Sequence, residues 1–125
     1  MDNRSPISLV LEPKPCLARL VRMTAANIGL LSSMSVDRIE DVRMAAEEAF
    51  IYACSIVHTD CVSFHFYVDE QQIRVRVEFP LSAFPESDSD DPTAEYSDLI
   101  LASVCDSYKK MSDPAQLEFV LKADV

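Results

Sequence analysis

The chain is nearly without glycine: Gly29 is the single one in 125 residues, and tryptophan is absent. Close approach of backbone to a phosphate group usually needs several residues free of a β-carbon, often at positive φ. No segment of this sequence supplies such a loop, and no G-x-S-x-G elbow is present for a hydrolase nucleophile. Positive charge is also scarce, with 11 Lys and Arg against 21 Asp and Glu, a formal charge of -10. That balance opposes nonspecific binding to nucleic acid or to an anionic membrane, both of which are negative too. No apolar run is long enough to span a bilayer, and the start, MDNRSPISLVLEPKP, has no signal-peptide core. Cys16, Cys54, Cys61 and Cys105 are scattered, and three lie in apolar surroundings. Their pattern predicts reduced core thiols in a cytoplasmic protein. The length suits a single domain over 1–125 that buries a core unaided.

What is present is periodic. From Ser35 to His58, apolar residues fall at Ile39, Val42, Ala45, Ala46, Ala49, Ala53 and Ile56. This three-and-four spacing predicts a helix, with Ser35 as its cap and Asp37, Glu40 and Asp41 near its positive end. Before it, Ile7, Leu9 and Leu11 alternate as a strand that Pro13 and Pro15 end, and Cys16 to Leu31 reads as a helix that Gly29 helps to stop. Arg19 and Arg22 point to solvent in that helix. After it, Cys61–Val68 and Ile73–Phe79 alternate around a DEQQ turn. FPESDSDDPTAEY is a polar surface loop, Ala94 to Met111 reads as a third helix, and Gln116–Lys122 as a closing strand. The order β-α-α-β-β-loop-α-β predicts an α+β, two-layer sandwich: a mostly antiparallel four-stranded sheet with three helices on one face.

EDVRMAAEEAFIYACSIVH, taken with this element order, resembles the central helix of the bacterial anti-sigma-factor serine kinases, members of the gyrase and histidine-kinase ATPase superfamily with the Bergerat fold. The family helix carries Glu-Ala, two variable residues, Asn and Ala; the matching residues are Glu48, Ala49, Tyr52 and Ala53. The resemblance implies a partner-switching regulator of sigma factors that binds a sigma factor or a STAS-domain antagonist. It also implies pairing, as a homodimer or with a related subunit, through Ile7 to Leu31. The family's cofactor is magnesium-ATP, with Glu48 matching its candidate general base.

The departures bear on that cofactor. Tyr52 stands where the family has its magnesium-holding asparagine, and a neutral phenol is a poor ligand for a hard dication. Phe79-Pro80-Leu81 stands where the family has Asp-x-Gly, and Glu95-Tyr96-Ser97-Asp98 where it has a glycine-rich turn. The lid-like loop carries Glu86, Asp88, Asp90, Asp91 and Glu95 with no cation between them. Each would repel a phosphate charge by about 0.5 kcal/mol at about 8 Å in water. The expectation is a retained scaffold with a lost ATP site and lost kinase activity, leaving Glu48 as a remnant or a solvated helix residue. The alternative is an active ATP-dependent serine kinase with an unusual site.

Two further constellations stand apart from the resemblance. Cys54, His58, Cys61 and His65 have ligand types that would suit tetrahedral zinc, but without a Cys-x2-Cys knuckle. Arg74 and Arg76, with His65 and Tyr67 on the neighbouring strand, decorate the open sheet face. That face reads either as solvated surface or as a protein-docking face, since Arg and Tyr are enriched where partners bind.

Overall fold

In the computed structural model, which describes residues 7–86 and 91–125, five strands form one antiparallel sheet and three α-helices pack with it. The elements are β1 (Ile7–Leu11), a 3₁₀ turn (Pro15–Leu17), α1 (Ala18–Gly29), α2 (Val36–Ile56), β2 (Val62–Val68) and β3 (Gln72–Glu78). Then come α3 (Thr93–Val104), β4 (Ser107–Met111) and β5 (Gln116–Lys122). The strand order is β1-β2-β3-β5-β4, so β5 inserts between β3 and the hairpin partner that precedes it.

Alternation decides which side of each strand is buried. Val62, Phe64 and Phe66 on β2, Ile73, Val75 and Val77 on β3, and Leu117, Phe119 and Leu121 on β5 lie opposite one another in register and are all buried. They form one core with Val21, Ala25 and Ile28 of α1, Val42, Ala45, Ala46, Ala49, Phe50 and Ala53 of α2, and Leu101 of α3. The helices therefore cover one face, and the alternate residues occupy the other. The run of alanines on α2 lets its axis lie close to both neighbouring helices, and Gly29 serves the same contact from α1.

The helix termini follow their chemistry. The Ser35 hydroxyl accepts from the Arg38 amide at 3.1 Å and itself donates to Asp124, which also accepts from the Ser35 amide at 2.8 Å. These bonds hold the Asp124 carboxyl below its ordinary range. Arg38 turns back across the layers: its guanidinium donates to the Lys122 carbonyl at 2.8 Å and the Val104 carbonyl at 3.3 Å, and pairs with Asp106 and Asp41. The start of α2 is thus bolted to the ends of α3 and β5.

Four expectations change. The sheet has five strands rather than four, because the helix read as Ala94 to Met111 stops at Val104 and Ser107–Met111 is a strand paired with β5. Tyr108 and Lys110 face the interior layer from β4 while Ser107 and Lys109 face outward, a period of two that a helix could not hold. Gly29 ends α1 without a left-handed cap, since no glycine has positive φ; its nearest neighbour for an added β-carbon, Ile39, is 3.7 Å away. Arg22 is not free in solvent but pairs with Glu47 at 2.7 Å, joining α1 to α2. Cys16 and Cys61 are exposed, so only Cys54 and Cys105 touch the core; all four are free thiols, and burial pushes Cys105 up to about 12. No helix among the described residues is long and apolar enough to cross a membrane.

Candidate functional site

The positions that the resemblance assigns to a nucleotide pocket do come together, and side chains of the chain itself fill the space between them. Glu48, Tyr52 and Ser55 follow one another at helical spacing along α2. The Tyr52 ring, only 1% exposed, meets Phe79 edge-on at 6.0 Å between centroids and Phe84 at 5.9 Å. Phe79 and Phe84 contact each other at 5.0 Å. Three aromatic rings in mutual tilted and edge contact are a favourable arrangement beyond their area alone.

A cation closes the cluster. Lys110 reaches inward from β4 and places its ammonium 4.4 Å from the Tyr52 ring centre and 5.1 Å from that of Phe84. Asp98 of α3 holds that ammonium at 2.9 Å and accepts from the Tyr108 hydroxyl at 2.5 Å. Burial, and then the adjacent Asp98, push the Tyr108 phenol well above its ordinary value, so it remains a proton donor to Asp98. The segment carrying Phe84 is pinned from below. Leu81 and Ser82 accept from the amides of Ala115 and Asp113 at 2.9 and 2.8 Å, and Ala115 accepts from Phe79 at 3.0 Å. Asp113 sits at a φ of 59°, a left-handed turn position that aspartate tolerates.

Glu48 is half-buried and accepts from the hydroxyl of Ser97, a fully buried polar residue on α3, at 3.1 Å. It is neither a free surface glutamate nor, among the described residues, in contact with a second acid-base group. Its visible work is to satisfy a buried donor. Beyond the aromatic cluster lies a cleft of about 320 Å³ lined by Tyr52, Ser55, His58, Glu86, Asp91 and neighbouring apolar atoms. Among the described residues its lining carries carboxylates and no lysine or arginine. Asp91 is held below its ordinary carboxylate range by the hydroxyl and amide of Thr93. Asp88 and Asp90 lie outside the described residues.

Set against a magnesium-nucleotide complex, these groups do not fit. Tyr52 offers no carboxamide oxygen, Phe79 no carboxylate for an exocyclic amine, and the described lining of the cleft no cation for phosphate.

The zinc candidates separate. His65 is engaged on the outer sheet face, its Nδ1 2.8 Å from the Ser8 hydroxyl and its Nε2 2.6 Å from Glu78. His58 lines the cleft, Cys61 is exposed, and Cys54 packs against the core, where burial raises its thiol. Among the described residues no group of three or more His, Cys, Asp or Glu side chains is placed to hold a metal ion.

The outer face has its own organisation. Tyr67 lies under two guanidinium groups, Arg74 at 4.6 Å and Arg76 at 5.7 Å from the ring centre. The sequence identified Arg74, Arg76, His65 and Tyr67; it missed Ser8 and Glu78 as partners of His65, although both lie across from β2 in simple register. Phe84, Asp98, Tyr108 and Lys110 were also missed, the first because it opens an acidic run and the last two because they sat in a supposed helix.

Comparison with protein-family models gives no match for this chain, and no curated protein sequence matches it either.

Proposed function

We propose that this chain is a regulatory binding module related to the anti-sigma-factor kinases, built on the Bergerat arrangement, in which the nucleotide pocket has been replaced by packing. It acts in the cytoplasm by holding a sigma factor or a STAS-domain antagonist stoichiometrically, without phosphate transfer. The observation that carries this is the Tyr52–Phe79–Phe84 cluster under Lys110, standing at the positions where the resemblance puts the magnesium ligand and the adenine-binding acid. Aromatic rings in place of the metal ligand and the adenine-binding acid, and carboxylates lining the adjacent cleft, oppose a magnesium-triphosphate on grounds of ligand chemistry and charge.

Pairing with a second copy, or with a related subunit, is part of the same proposal. Ile7 on β1 and Leu20, Met23, Leu30 and Leu31 at and after α1 are exposed apolar side chains within Ile7 to Leu31. Such a group of side chains is the kind of surface a partner covers.

The test is affinity capture from the native cell with and without magnesium-ATP, followed by a phosphorylation assay on the captured protein. The expected result is a sigma factor or STAS-domain protein retained equally in both conditions and left unphosphorylated. Phosphate transfer to a serine of that partner would replace the proposal with an active kinase.

A further inference from the structure

We infer that the open face of the sheet docks an acidic segment of a protein partner, with Arg74 and Arg76 as its carboxylate anchors and Tyr67 as the platform that holds them. The register places the outward residues unambiguously. Tyr67 lies opposite Arg74, His65 opposite Arg76, Arg76 opposite Glu118, and Glu118 opposite Lys109. Gln72 and Lys122 continue the same side. Counted along this face, the charged residues of β2 to β5 are the cations Arg74, Arg76, Lys109 and Lys122 against the carboxylates Glu78 and Glu118. A chain of formal charge -10 therefore presents a positive face here.

The carboxylates on that face are also spoken for. Glu78 holds His65 at 2.6 Å, and Glu118 lies 3.7 Å from Lys109. Arg76, although directly across from Glu118, makes no ion pair with it and leans over Tyr67 instead. Elsewhere three arginines are paired, Arg22 with Glu47, Arg38 with Asp106 and Asp41, and Arg43 with Glu40, while Arg19 on α1 has no ion pair among the described residues. On the sheet face two guanidinium groups share one ring and, among the described residues, pair with no acid.

Their donors point to what is wanted. The Nε–H groups of Arg74 and Arg76 are both shut off from solvent and have no hydrogen-bond partner among the described residues. Buried unpaired donors are uncommon in folded proteins and costly to leave so. The Nη groups are not shut off in this way, and a carboxylate that forks across them forms paired, charge-assisted bonds; a small turn of either side chain on the ring would bring its Nε–H to the same acceptor. Stacking on Tyr67 restricts the side chains beforehand, so less freedom is lost when the fork closes. The face is a sheet surface rather than a pocket, which suits an extended chain segment, and exposed Val10 at its β1 side offers that segment an apolar neighbour. A short acidic segment suits the face better than nucleic acid, because a long polyanion extends past it toward the rest of a chain of formal charge -10.

This docking does not depend on the anti-sigma proposal, and its test uses neither nucleotide nor sigma factor. The full chain, labelled with ¹⁵N, is titrated with poly-L-glutamate at low salt while the backbone amides and the arginine Nε–H resonances are followed. The expected result is movement of the Arg74 and Arg76 Nε–H signals together with β2 and β3 amides. Binding should weaken about tenfold in an Arg74→Gln, Arg76→Gln double variant and stay unchanged in Arg43→Gln. Shifts centred on another surface, or an affinity that the double substitution leaves intact, would overturn the inference. So would an oligonucleotide of matched charge binding more tightly than poly-L-glutamate through the same arginines.

Discussion

The two faces of the sheet use the same strands for opposite ends. Inward, Phe64, Val75 and Phe119 are fully buried, and the layer runs without a break into the Tyr52–Phe79–Phe84 cluster. Outward, His65, Tyr67, Arg74 and Arg76 are each half-buried, the two arginines lying over Tyr67 and His65 held by Ser8 and Glu78 rather than under a helix. The inward face carries its energy in area removed from water, about 25 cal/mol per Å². The outward face carries polar groups that are held in place but not used up. Stability belongs to the first; the inferred docking role belongs to the second.

Substitutions on paired strands sharpen that contrast. Phe119→Ala leaves a cavity in the close-packed layer and should cost about 3 to 5 kcal/mol in urea unfolding, whereas Tyr67→Ala should cost about 1 kcal/mol. Near-equal costs would mean that the outer face is structural too. Next in size is Glu48→Ala, which strips the buried Ser97 hydroxyl of its acceptor and should destabilise by about 1 to 3 kcal/mol; Glu48→Gln, which keeps a carbonyl oxygen there, should recover most of it. Equal losses from both substitutions would assign Glu48 a role that requires its charge.

A smaller effect concerns the cap of α2. Asp124 is held below its ordinary value of 3.8 by Ser35, so the folded state gains from its ionised form above that value. The gain disappears as pH falls through the lower folded value. Stability should therefore drop on acidification below about pH 4, and Asp124→Asn should flatten that part of the profile while leaving higher pH unchanged in slope. The smallest change expected is Gly29→Ala. With ordinary contact distance to Ile39 and no positive φ to preserve, it should stabilise α1 by about 0.5 to 1 kcal/mol by thermal melting.

Much of the inner face was legible in advance. The alternation of β2, β3 and β5 and the alanine stripe of α2 are local patterns whose period names the element, and Ser35 caps where its hydroxyl should. The missing strand was not, because Ser107–Met111 is short, mostly polar, and built of residues such as Lys and Met that also suit helices. Its one signal is the turn that follows, Asp113-Pro114 before a strongly alternating segment. The aromatic cluster was hidden for a different reason. Tyr52, Phe84 and Lys110 come from a helix, a loop and an edge strand, and only the folded chain puts the ammonium over the rings. The outer face was half legible: period two put Arg74 and Arg76 beside Tyr67, but not their unpaired Nε–H groups.

The lost-site reading turns on whether the space beside Tyr52 admits a nucleotide. The direct measurement is the melting temperature of the full chain across a magnesium-ATP titration. Packing by Phe79 and Phe84 predicts no change at any concentration. A saturable rise, of the size that about 2.7 kcal/mol of added stability gives at 100 times the dissociation constant, would contradict it.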